Sequence, residues 1–197
     1  VYNINNVVSI SSGHYHGLAV HPDGNISTWG DNSYGQANIP PNLSNVVEVD
    51  AAWKHSLSLK SDGTVIAWGR NDYGQSNVPD GLNNVVSISG GKYHSIALKS
   101  DGTVIAWGRN DHGQSDVPQD LNDVIAISAG WEHNMALKSD GTIVLWGRNN
   151  VGQLNFSNDL SDVIAISAGH FHSIVLLSDG TIINAGNSGH SGGYGVQ

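Results

Sequence analysis

The stretch Lys60–Pro79, KSDGTVIAWGRNDYGQSNVP, returns 39 residues later at Lys99–Pro118 as KSDGTVIAWGRNDHGQSDVP. The same shift carries His16 to His55, His94, His133 and His172. It also carries Trp29 to Trp68, Trp107 and Trp146, and Gln36 to Gln75, Gln114 and Gln153. Self-similarity at a fixed period of this length marks a repeat architecture. Five periods of 39 fill 195 of the 197 residues, so one domain, 1–197, is expected. Its repeats fall at about 7–45, 46–84, 85–123, 124–162 and 163–197, the last completed by 1–6.

Within a repeat the patterning is that of strands. Val46–Asp50 (VVEVD) alternates apolar and polar residues, as do Val85–Ser89 (VVSIS) and Val124–Ser128 (VIAIS). A short loop ends at the repeated His. There a second strand begins, His55–Lys60, with Leu57 and Leu59 on one face and Ser56 and Ser58 on the other. Ser61-Asp62-Gly63 reads as a tight hairpin turn. It leads into Thr64–Trp68, apolar on both faces and so expected to be covered on both. The loop Gly69–Gln75 then leads to a fourth segment, Ser76–Pro79, read as an edge strand because its proline need not donate there. No helical period appears. Four short antiparallel strands per repeat predict an all-β chain, a β-propeller of about five four-stranded blades. The two chain ends are expected to complete one blade and close the ring, although Ala185 stands where a Trp is expected.

Composition narrows the function classes. A net charge of −9 argues against recognition of nucleic acid phosphates and of anionic membrane surfaces. With no cysteine, thiol catalysis, thiolate metal sites and disulfides are excluded. No apolar run approaches the ~20 residues of a membrane helix, so no membrane insertion is expected. The start, VYNINNVV, lacks the features of a signal peptide and an initiator Met, as in a processed secreted chain or a fragment. There is no GxSxG, no HExxH and no phosphate-cradling loop, and symmetry itself counts against a catalytic constellation. The chain is read as no enzyme and as needing no cofactor.

The AWGxNxxGQxxVP signature, with GxxHSxAL upstream, resembles the repeats of the regulator of chromosome condensation. It is closer still to the short-blade bacterial propellers typified by the propeller-type β-lactamase inhibitory protein. The resemblance covers essentially the whole chain and implies a propeller fold. In the inhibitor type it also implies that the aromatic-rich loop face binds the partner. Carried over position by position, that singles out Tyr15, Trp53, Tyr93, Trp131 and Phe171. A bacterial, secreted protein, extracellular or at the cell surface, fits this likeness.

The repeated His recurs at one strand start in every copy, where a ring nitrogen can satisfy a loop carbonyl. Only His14 and His170, which add a His-x-His pattern, stand as a metal candidate. The repeated Trp is expected between blades, the Asp in the hairpin turns, and the Gln on loop backbone. The informative positions are those that vary: His14-Tyr15, Trp53-Lys54, Lys92-Tyr93, Trp131-Glu132 and His170-Phe171. In a four-stranded meander these pairs share a face with the loops after each Trp-Gly. Those loops hold Tyr34, Arg70, Tyr73, Arg109, His112 and Arg148. Such a face has the composition of binding hot spots. The leading expectation is a module that binds a protein partner. A glycan-binding lectin and a self-assembling structural protein are the alternatives, while nucleotide exchange and chromatin binding are disfavoured by the short acidic chain.

Overall fold

The computed structural model describes residues 4–187. Fifteen strands form five separate antiparallel sheets of three. The first unit holds β1 (Ser9–Ser12), β2 (His16–Val20) and β3 (Ile26–Gly30). The second holds β4 (Val46–Ala51), β5 (His55–Lys60) and β6 (Val65–Gly69), and the third β7 (Val85–Gly90), β8 (His94–Lys99) and β9 (Val104–Gly108). The fourth holds β10 (Val124–Ala129), β11 (His133–Lys138) and β12 (Ile143–Gly147), and the fifth β13 (Val163–Ala168), β14 (His172–Leu177) and β15 (Ile182–Gly186). The first strands lie side by side in series, β1 against β4, β4 against β7, β7 against β10 and β10 against β13. Among the described residues no helix is long and apolar enough to cross a membrane.

Each sheet has three strands where four were expected. The segment Ser76–Pro79 is not a strand, because its polar groups are used inside its own loop. Ser76 N–H and Asn77 N–H donate to Asn71 Oδ1 and Gly74 O, and Ser76 Oγ donates to Arg70 O. Pro79 has no N–H to offer a ladder. A second difference concerns cover. The strand buried on both faces is the middle one, as in β5, where His55 to Leu59 are all buried, whereas Ile66 and Ala67 of β6 are only half-covered. The expected closure of the ring, in which residues 1–6 complete the repeat 163–197, involves residues 1–3 and 188–197, which lie outside the described residues.

The middle strands explain why the units stack. In β5 the His55, Leu57 and Leu59 side packs on the third unit, in a cluster with Val65, Val85, Ile88, Ala97 and Trp107. The opposite side, Ser56 and Ser58, faces the first unit. Large apolar residues of one blade thus meet small ones of the next, with the Trp filling the remaining space.

A hydrogen-bonded latch crosses the same seams. Ser56 Oγ donates to Gln36 O at 2.8 Å, and Trp68 Nε1–H donates to that carbonyl at 2.8 Å. Ser56 has then spent its proton, so it accepts from His16 Nε2–H, 2.8 Å away. The pattern returns as His55–Ser95–Gln75 O–Trp107. It returns again as His94–Asn134–Gln114 O–Trp146, where the Asn134 amide accepts through Oδ1 and donates through Nδ2. Asparagine can stand in for serine because each can accept from a His and donate to a carbonyl at once. The repeated His therefore bonds a side chain of the next blade, not the loop carbonyl expected. The repeated Gln does bond loop backbone, as when Gln75 Oε1 accepts from Tyr73 N–H.

The first unit departs from this scheme. Trp29 is 37% exposed, against 8%, 7% and 6% for Trp68, Trp107 and Trp146, so it does not pack between blades as expected. Gly17 stands where the latch has Ser or Asn, and the Trp29 indole lies over it: a Cβ on Gly17 would fall 2.4 Å from Trp29 Cζ2. Those two residues close the flank on itself.

Candidate functional site

One backbone contact brings the varying pairs and the post-Trp loops together. Arg70 N–H donates to Lys54 O, Arg109 N–H to Tyr93 O, and Arg148 N–H to Glu132 O, at 2.8–2.9 Å. Asp31 N–H does the same to Tyr15 O at 2.8 Å. The glycine after each Trp permits this approach. Gly108, at φ +105°, would place a Cβ 2.6 Å from Tyr93 O, a clash compounded by a left-handed backbone that only glycine adopts freely.

The resulting surface carries an unbroken chain of rings. Tyr73 meets Tyr93 at 4.9 Å between centroids, Tyr93 meets Trp53 at 5.0 Å, and Trp53 meets Tyr15 at 6.5 Å. Tyr15 meets His14 at 4.3 Å, and His14 meets His170 at 5.1 Å, which joins the first unit to the fifth. His170 stacks on Trp131 at 4.0 Å, and Trp131 meets Phe171 edge-on at 5.1 Å. Such offset and edge-to-face pairs hold one another in place beyond what burial alone supplies.

Cations interleave with the rings. Lys54 Nζ lies 4.5 Å from the Tyr34 centroid and 5.0 Å from that of Trp53. Arg70 lies 4.8 Å from Tyr34 and 5.1 Å from both Trp53 and Tyr93. Lys92 Nζ lies 4.4 Å from Trp131 and 5.3 Å from Trp53, and Arg109 lies 5.0 Å from Tyr73. Five of the eight basic residues of an acidic chain thus gather here. The other three, Lys60, Lys99 and Lys138, sit beside Asp62, Asp101 and Asp140 of the hairpins, at the opposite ends of the strands.

Not every expected residue is displayed. Glu132 is only 5% exposed and is held by Arg148, with Arg109 at 3.5 Å and His112 at 3.8 Å. It organises the fourth-unit edge of the face from beneath. Arg70 and Arg109 bring their own counter-ions, Asp72 and Asp111, at 2.6 Å. Lys54 and Lys92 have no carboxylate within ion-pair distance among the described residues. His14, Tyr15, Tyr34, Tyr73, His112 and His170 are exposed, while Trp53, Tyr93, Trp131 and Phe171 are half-buried. No group of three or more His, Cys, Asp or Glu is placed to hold a metal among the described residues, and His14 and His170 are links in the ring chain. Burial, then the nearby His14, His172 and Lys92, hold His170 below its ordinary pKa.

At the centre of the face lies a cavity of about 120 Å³ that sequence reasoning missed. Its walls are His14, Trp53, Trp131 and His170, and its floor includes Gly90, Gly91, Gly130 and Gly169. The signal was the row of small residues just before each pair. A Cβ on Gly91 would meet the His94 ring at 2.1 Å and Gly130 O at 2.6 Å.

Stacked three-stranded blades with a ring-lined loop face define a protein of the β-propeller class. A family model, the regulator of chromosome condensation (RCC1) repeat, matches residues 7–36, 46–75, 85–114 and 124–153, and the chain belongs to that family. It is similar in structure to Prp20p from Saccharomyces cerevisiae, with 24% identity and a TM-score of 0.77 over 93% of this chain and 57% of that one. It is also similar to the ectodomain of the Physcomitrella patens receptor kinase CR4 (20% identity, TM-score 0.80, 93% and 53% covered). Human WBSCR16 is a third (18% identity, TM-score 0.78, 95% and 65% covered). The chain therefore spans a little over half to about two thirds of the length of these structures. No curated protein sequence matches it.

Proposed function

We propose that this chain is a non-enzymatic binding module that engages a protein partner through its aromatic loop face. The observation that carries the reading is the chain of touching rings, from Tyr73 through Trp53 and His14 to Phe171, with Lys and Arg set between them. Tyr, Trp and Arg dominate the residues that carry binding energy at protein interfaces. Rings already braced against one another lose little freedom on docking, so less of the interaction is spent on ordering. The structural neighbour Prp20p binds Gsp1p and histones, and it has been seen bound to Kap60, which agrees with a protein partner.

The test compares capture of a partner from the native source by the wild-type chain and by the Trp53→Ala/Trp131→Ala double variant. A protein held by the wild type should be lost by the variant, with the two melting temperatures within a few degrees. Retention of the same protein by a folded variant would sink the reading. So would a chain that binds a glycan array and captures no protein.

A further inference from the structure

We infer that the cavity at the centre of the face receives an acidic side chain of the partner, its carboxylate set against Lys92 with His14 and His170 beside it. This rests on the proposed loop-face reading and adds the chemistry that the partner must present. The argument begins with what docking does to the cations. Covering this face removes water from five basic residues, and a desolvated charge without a counter-ion weakens a complex. Arg109 and Arg148 meet Glu132, and Arg70 meets Asp72, so these carry their own compensation.

Lys92 does not. Its ammonium lies between Trp131 and Trp53, 4.4 and 5.3 Å from their centroids, and those two indoles are cavity walls. The charge the partner has to supply is therefore required at the cavity mouth rather than at the rim. The cavity, about 120 Å³, is several times the ~10–15 Å³ that one water needs by the same measure, so it has room for a short side chain. Its walls suit such a group: indole faces for the methylenes, and imidazole N–H groups as donors to the carboxylate. Lys54, on the far side of Trp53, has Asp31 near enough to feel its charge, so Lys92 is the cation that most needs the partner's carboxylate.

The test is an NMR titration of the full chain with two peptides, acetyl-Gly-Glu-Gly-amide and acetyl-Gly-Gln-Gly-amide. Indole N–H signals of Trp53 and Trp131 and ring signals of His170 are followed. The Glu peptide should shift them saturably, with at least ten times the affinity of the Gln peptide, and Lys92→Gln should remove that difference. Lys92 holds the next blade through its backbone N–H, which donates to Trp131 O, so the substitution leaves the fold in place. Equal responses to the two peptides, no response to either, or a preference that survives Lys92→Gln would each overturn the inference. If the Trp53→Ala/Trp131→Ala variant loses its partner while the peptides behave alike, the acidic chemistry alone is wrong. A variant that keeps its partner removes the reading beneath it as well.

Discussion

Two regions built from the same repeat obey opposite rules. In the seams between blades, one arrangement of His, Ser or Asn, a Gln carbonyl and Trp recurs with distances of 2.7–3.2 Å. On the loop face, a few residues away in sequence, every copy presents a different pair. The seam is buried, so breaking one of its hydrogen bonds costs ~1–3 kcal/mol and few side chains satisfy the geometry. The face is held by backbone contacts that any side chain can make, Arg109 N–H to Tyr93 O among them. Its letters are therefore unconstrained by folding and available for recognition.

The largest effect expected from breaking this contrast is at a seam tryptophan. Trp107→Ala removes a buried ring from the cluster around Leu57 and Val85 and takes from the Gln75 carbonyl one of its two donors, leaving Ser95 Oγ, and it should cost ~3–5 kcal/mol. Trp29→Ala, at the flank where the ring is 37% exposed, should cost less than half of that. Thermal or urea unfolding compares the two. Equal losses would mean that the first unit is locked like the others.

The latch histidines should make stability fall in acid. Burial holds His55 at about 3, and His94 and His133 at about 4; His16 is lowered for the same reason. Each folded pKa lies below the unfolded 6.5, so above that pH neither state is protonated and the latch contribution is whole. Below it the unfolded chain takes up protons that the folded one refuses. The loss continues until the folded pKa is reached, at ~1.4 kcal/mol per pH unit per histidine. Urea midpoints should drop between pH 7.5 and 5.5, and His94→Gln should flatten that drop. A profile unchanged by the substitution would show that His94 is not a source of it.

The same contrast explains what the sequence disclosed. Turn geometry is local, so the Asp-Gly hairpins were legible from Asp62 and Gly63 alone; Thr64 N–H indeed donates to Asp62 Oδ1. That the pairs and the post-Trp loops share a face followed from counting strand connections, and the count survived the loss of the fourth strand. The latch did not emerge, because His16 and Ser56 meet only once the blades are stacked, although Ser56, Ser95, Asn134 and Ser173 kept step with the His. Glu132 was misread as a surface residue since variation among copies reveals freedom from the seam but not depth. Its two arginines draw it inward.

The smallest expected effect is at Asp50, where the seam itself breaks its rule. Ser11, Ser89 and Ser128 occupy the equivalent places, and each accepts an N–H from the next blade's first strand: Ala51, Ala129 and Ala168. Asp50 accepts from Gly90 N–H at 2.5 Å and from Ser11 Oγ at 2.8 Å. Burial nevertheless raises its pKa, and it also raises that of Glu48 on the same strand, with Asp50 adding repulsion. For a carboxyl raised above its unfolded value, stability is full below the unfolded pKa and is lost as pH rises through the folded one. At pH 7 the charge is therefore a burden that a serine would not carry, while the bond from Gly90 N–H would survive. Asp50→Ser should stabilise by ~1 kcal/mol at pH 7 and by nothing near pH 3. A loss at pH 7 would show that the second bond, from Ser11, outweighs desolvation, and that this one seam was tuned for the carboxylate.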